Sequence, residues 1–190
     1  MDIRGNIVKF KIKMINRGLI LLLILIIGAG IYCAVDVAAQ ISREKEVRSN
    51  VETFYKGMES LLVWPDGMPE EDMETVFTNE EKYYHYLDKG FEKVKPYLYD
   101  NDTVRIEVKD GALAFLNKFL DEGCKPSDVS ITPKIEEIKV TRNYASVLTK
   151  LSLNIRGSDN TNLVKNFEGL INYECVEGKW VIVYQCMYES

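Results

Sequence analysis

The chain has 190 residues, 46% of them hydrophobic and 28% charged, with a formal net charge of −5. That size and balance describe one globular domain plus an added segment, and they exclude a multidomain enzyme, a disordered chain and a polytopic transporter. The added segment is Gly18 to Val35, 18 residues without a charge and built mostly from Leu and Ile, the length and composition of a membrane-spanning helix.

The sequence therefore divides into a tail (1–17), an anchor (18–40) and a domain (42–190). The tail holds Arg4, Lys9, Lys11, Lys13 and Arg17 against Asp2 alone. Basic residues beside a single span keep that end in the cytoplasm, so the expected topology is tail inside and domain outside the cell membrane. The acidic remainder has no Lys/Arg-rich run, which argues against a nucleic-acid partner. Val37-Ala38-Ala39 fits a signal-peptidase site, but the apolar run exceeds the roughly 7–15 residues of a signal core, and the reading is an uncleaved anchor. Tyr32, just before Cys33, does not suit a bacterial lipid-attachment site. Gly30, Ala34 and Ala38 fall four apart; they form either a helix-packing face or the ordinary small-residue content of a span.

From Ser42 the spacing becomes amphipathic, with Val47, Val51, Phe54, Tyr55, Met58, Leu61 and Leu62 on one helical face. Trp64-Pro65-Asp66-Gly67 ends that helix, and Pro69 followed by Glu70, Glu71 and Asp72 predicts the start of a short second one. A cation site at these acids lacks the Gly-spaced oxygen ligands of a calcium loop, so they read as a helix N-terminus. Thr78 and Glu81 form a capping-box signature for a third helix to about Tyr97, with Tyr84, Leu87, Phe91 and Val94 on one side. Asn101-Asp102-Thr103 matches a glycosylation acceptor, a frequent pattern that carries little weight.

Val104, Ile106 and Val108 alternate with charges and predict a short strand, and Gly111 and Gly123 bracket a helix with Leu113, Leu116, Phe119 and Leu120. Period two then takes over. Ile131–Val140 reads as a strand with a bulge between Ile135 and Ile138, followed by strands over Ala145–Ile155, Phe167–Val176 and Lys179–Tyr188. Arg156–Asn160 is a hairpin loop, and Glu177-Gly178 a tight turn that pairs Val176 with Lys179 and Cys175 with Trp180. Helices followed by consecutive antiparallel strands predict an α+β fold with helices packed on one face of a curved sheet.

That order of elements, with the hairpin Val176-Glu177-Gly178-Lys179-Trp180-Val181-Ile182, resembles the cone-shaped nuclear transport factor two-like superfamily. Members carried on a single N-terminal span resemble the inner-membrane assembly component of type IV secretion and conjugation machines, and other surface-anchored scaffolds. The resemblance implies an interaction module with envelope proteins as partners. In the superfamily's enzymes an acid or base sits under the helices, because proton transfer needs a titratable group within reach of the substrate.

The predicted inward face of the last hairpin has Phe167, Gly169, Ile171, Tyr173 and Cys175 beside Trp180, Ile182, Tyr184, Cys186 and Tyr188, with Val147, Leu151 and Leu153 from the strand before. Phe167, Tyr173, Trp180, Tyr184 and Tyr188 are the candidate cavity-lining residues. Thr149, Tyr173 and Tyr184 supply the face's polar tips, and no acid or base is among them, so no catalytic residue is assigned. The single histidine, His85, lies in a tyrosine-rich helix with no Cys or Asp at a recognisable catalytic spacing and reads as structural or surface. The opposite face carries Leu170, Val176, Val181, Val183 and Met187. Leu170, Val181, Val183 and Met187 are candidate interface residues for another chain or a homodimer; the alternative is that long basic side chains or the segment near Asn101 cover them. No metal spacing or cofactor motif is present, and Cys124, Cys175 and Cys186 read as free thiols, although a bridge from Cys124 remains open.

The leading expectation is an anchored extracytoplasmic scaffold or interaction domain, with a secretion or conjugation machine as its context. The alternative is a domain that binds or senses a small apolar ligand at the envelope, and an isomerase- or dehydratase-like enzyme comes third.

Overall fold

The computed structural model describes residues 3–71 and 73–190. Helix α1 runs Ile3–Leu61, α2 Met73–Thr78, α3 Tyr84–Val94 and α4 Asp102–Asp121; strands follow as β1 Pro126–Val140, β2 Tyr144–Gly157, β3 Asn162–Val176 and β4 Lys179–Glu189. Two compact units divide at Ser42/Arg43. Within the first, α1 from Leu21 to Ala38 is predominantly apolar and exposed; over an 18-residue window its mean hydropathy is 2.4 with none of it buried. Among the described residues it is the one helix long and apolar enough to cross a membrane. No glycine or proline interrupts Ala34–Phe54, and the amphipathic stretch after Ser42 belongs to the same helix rather than to a separate one.

The second unit is α+β, with helices on one face of an antiparallel sheet in the order β1-β2-β3-β4. Alternation along β2 explains the layering, because Ala145, Val147, Thr149, Leu151, Leu153 and Ile155 are buried toward the helices while Lys150, Asn154 and Arg156 face out. The buried residues of α1 follow the predicted helical face, from Val47 and Val51 to Phe54, Tyr55 and Leu61. Each such aliphatic or aromatic side chain contributes about 1.5–3 kcal/mol when fully removed from water. Hydrogen bonds fix where α1 lies on the sheet. Asn50 Nδ2 donates to Trp180 O at 3.3 Å, and Ile131 N donates to Glu59 Oε1 at 3.0 Å. On α4, Lys109 is buried with Nζ 2.5 Å from Asp88 Oδ1, and the Tyr84 hydroxyl donates to Asp110, which joins α3 to α4.

Three helical expectations are corrected. The second helix begins at Met73, with 69–71 irregular, and the third begins with a 3₁₀ turn, Glu80–Lys82, before α3 proper. The alternating Val104, Ile106 and Val108 belong to α4 and not to a strand. Its start lies in the next-door motif: Asn101 is extended (φ −144°, ψ 137°) and its side chain accepts from Thr103 N at 2.9 Å. Such a cap is worth about 1 kcal/mol, and Asp102 suits the positive end of the helix. Asn101-Asp102-Thr103 is thus a helix start, and Gly111 falls inside the helix rather than ahead of it.

The strands follow the predicted order and hairpins, with irregularity between Ile135 and Glu137 where the bulge was expected. A further bulge was not foreseen. Tyr173 pairs with Ile182 and Asn172 with Tyr184, which leaves Val183 as an extra residue in β4. From there on the two faces of β4 exchange places.

Candidate functional site

An open apolar cleft of about 530 Å³ lies between the end of α1, the first four turns of α4 and the sheet. α1 contributes Phe54, Tyr55, Met58 and Leu62, spaced by the helical period, and α4 contributes Val104, Val108, Gly111 and Phe115. These α4 residues also fall four, three and four apart, the spacing of one helical side. Leu151, Leu153 and Phe167 rise from the sheet, and Ile182, Val183, Gln185 and Met187 come from β4. Among the described lining residues, Glu107 is the one formally charged side chain.

The polar groups in the cleft engage one another weakly. Gln185 Nε2 donates to Tyr55 Oη at 3.2 Å, and that hydroxyl points to Met187 Sδ at 3.9 Å. Sulfur is a poor acceptor, so an oxygen entering the cleft would be a better partner for the Tyr55 proton. Tyr173 lies beneath, fully buried, and burial followed by the nearness of Tyr55 pushes its phenol well above the ordinary value.

The bulge at Val183 decides where the expected site residues stand. Phe167 lines the cleft, whereas Tyr173 and Trp180 are buried in the core around it. Tyr184 is opposite Asn172 and 53% exposed at the cleft's rim, and Tyr188 is opposite Glu168 and 58% exposed, so neither tyrosine is enclosed under the helices. Met187 and Val183, expected on the outer face, line the cleft instead. Val181 stays on the outer side but is covered, at 9% exposure, where Leu98 bridges Ile182 and the chain continues through Tyr99 to Asn101. Leu170, at 37% exposed, remains open. Sequence reasoning missed Met58, Val104, Val108, Phe115 and Gln185. The uninterrupted apolar run Val181-Ile182-Val183 was the available sign that β4 departs from simple alternation.

His85 lies in a different groove with Asp66, Lys89 and Lys93, its ring 3.8 Å from that of Tyr86, and does not approach the apolar cleft. All four cysteines are free, with Cys124 buried and Cys33 and Cys186 exposed.

The fold and site define an α+β domain in which helices cover one face of a curved antiparallel sheet and leave an apolar cleft between them. Solved structures similar to it are NTF2-like proteins. One is an NTF-2 like protein of unknown function from Shewanella oneidensis MR-1, at 15% identity and TM-score 0.34, over 63% of this chain and 98% of that one. Another is a putative NTF2-like transpeptidase from Campylobacter jejuni, at 15% identity and TM-score 0.25, over 59% of this chain and 97% of that one. No family model matches the sequence, and no curated protein is similar to it.

Proposed function

We propose that the chain is a single-span membrane protein whose folded domain, displayed outside the membrane, binds an apolar group in the cleft without catalysing its conversion. The observation that carries this reading is the lining itself. A concave site of about 530 Å³ has mainly aliphatic, aromatic and thioether walls, with Glu107 as its single charged side chain and the Tyr55 hydroxyl engaged by Gln185 and Met187, the make-up of a binding pocket with one carboxylate rather than of an acid–base pair. The basic tail favours a cytoplasmic N-terminus.

Photolabelling of the full chain in its membrane tests the reading. A dodecyl-benzophenone probe should attach to cleft residues such as Met58, Phe115 and Met187, and an excess of dodecanol should compete it away. Attachment confined to residues 18–40 would reject a cleft ligand.

A second reading, assembly with other envelope proteins and a secretion or conjugation machine as context, is favoured by the outer sheet face. Tyr144, Val164, Leu170, Tyr184 and Tyr188 are all exposed there, where a solvated face carries mostly polar side chains. In-cell crosslinking of the anchored protein with mass spectrometry distinguishes the two: capture of secretion components through these residues supports assembly.

A further inference from the structure

The two edges of the sheet are built differently. β1 carries Pro126 and Pro133, two register irregularities and the charges Lys134, Glu136, Glu137 and Lys139, all devices that blunt an edge against further pairing. β4 has neither a charge nor a proline from Trp180 to Tyr188. Its first part is occupied, since Leu98 bridges Ile182 in parallel and Tyr99 N donates to Ile182 O at 3.2 Å. From Val183 to Glu189, among the described residues, no backbone hydrogen bond reaches the strand on the side away from β3.

The phase of the free edge follows from the register. Ser190 N donates to Asn166 O of β3 at 3.0 Å, and Asn172, Leu170 and Glu168 pair with Tyr184, Cys186 and Tyr188. Cys186 is in phase with Ser190 and turns its N–H and C=O toward β3. Gln185, Met187 and Glu189 therefore turn theirs to open solvent.

We propose that this edge receives a second copy of the same chain, paired antiparallel through β4 about a two-fold axis at Cys186. Cys186 is the midpoint of the open stretch Val183–Glu189, so an isologous pairing that covers the whole stretch is centred there. In that register Gln185 and Met187 exchange main-chain hydrogen bonds with Met187 and Gln185 of the second copy. Tyr184 stands opposite Tyr188 of the second copy on the outer face, an aromatic cross-strand pair. The two Cys186 residues form a non-hydrogen-bonded pair with Cα atoms about 4.5 Å apart, inside disulfide range. Like charges do not meet, and the terminal Glu189 is already held by Lys118 and Lys165 at 3.3 and 3.1 Å. Centring on Gln185 or Met187 instead would leave part of the stretch unpaired and separate the tyrosines.

Disulfide trapping of the full chain in its membrane tests the pairing. A Cys33→Ser background removes the exposed thiol of the anchor. Copper(II) phenanthroline then takes two electrons from the facing Cys186 thiols, which release two protons as the S–S bond forms. The expected product is a dimer linked Cys186 to Cys186, absent when Cys186→Ser is added. The outer face reads the register: Tyr184→Lys with Tyr188→Lys sets like charges opposite and should lower trapping about tenfold or more, whereas Tyr184→Lys with Tyr188→Glu sets opposite charges together and should retain it. The proposal is overturned by the absence of a Cys186-linked dimer while the thiol still reacts with maleimide. Equal trapping in the two charged variants, or capture of another protein's strand at Cys186 in place of a second copy, also overturns it.

Discussion

Gly90 of α3 lies so close to Leu61 at the end of α1 that a Cβ on it would stand 2.8 Å from Leu61 Cα and 3.0 Å from Ser60 O. Gly57 repeats the approach from the other helix, where a Cβ would meet Lys93 O and Val94 Cγ1 at 3.0 Å. The neighbours of Gly90 are backbone atoms, which cannot swing aside as a side-chain tip would. Gly90→Ala should therefore destabilise the protein by about 1–3 kcal/mol in denaturant unfolding, although alanine is the better helix former. An unchanged midpoint would show that the two helices part without cost.

Gly111 is the opposite case. It is in mid-helix, lines the cleft, and has nothing within 4 Å of its would-be Cβ. Gly111→Leu gains about 1 kcal/mol of helix propensity and adds apolar contact, so the unfolding midpoint should rise. The same side chain should occupy the cleft and abolish photolabelling there. Stabilisation with undiminished labelling would place the probe's site elsewhere.

Tyr173 is fully buried and its hydroxyl has no hydrogen-bond partner among the described residues. Its phenol is held above the ordinary value of 10.0, first by burial and then by Tyr55. Above pH 10 the unfolded chain gives up a proton that the folded chain keeps, so stability falls as pH rises, by up to about 1.4 kcal/mol per pH unit. Below that pH the contribution is fully present. Tyr173→Phe should flatten the alkaline slope measured by urea unfolding and change stability little at neutral pH, because the atom removed is unpaired. Identical slopes in the two proteins would mean that Tyr173 ionises as freely in the fold as outside it.

Asn117 on α4 is also buried, and neither atom of its amide has a partner among the described residues. Replacing an unsatisfied buried amide with a hydrocarbon of similar size removes a desolvation cost, so Asn117→Leu should stabilise by about 1–3 kcal/mol. A loss of stability instead would show the amide to be satisfied by internal water.

Apart from the strand expected at Val104–Val108 and the helix expected to begin anew at Ser42, the order of elements was legible, because it depends on local pattern. The 3.6 period of Val47 to Leu62, the two-residue turn at Glu177-Gly178 and the slip near Ile135 are written in adjacent residues. The start of α4 was misread because three alternating β-branched residues resemble a strand when considered alone; the Asn101 cap three positions earlier decides the matter. The cleft was half legible. Phe167, Leu151 and Leu153 follow from alternation, but one extra residue at Val183 moves every later side chain of β4 to the other face. Partners from α1 and α4 depend on how distant helices settle on the sheet. The bond between Gln185 and Tyr55, 130 positions apart, has no local sign.

The prolines and charges of β1 settle how far any growth of the sheet can proceed. Joining two copies at β4 consumes both permissive edges, and the joined sheet is then bounded on each side by a β1 that carries Pro133 and its flanking charges. In the proposed pairing, addition would stop at two copies, because no permissive edge would be left to template a third. If the proposed pairing forms, the strand that begins the sheet is also the one that would keep neighbouring copies from stacking into a fibre.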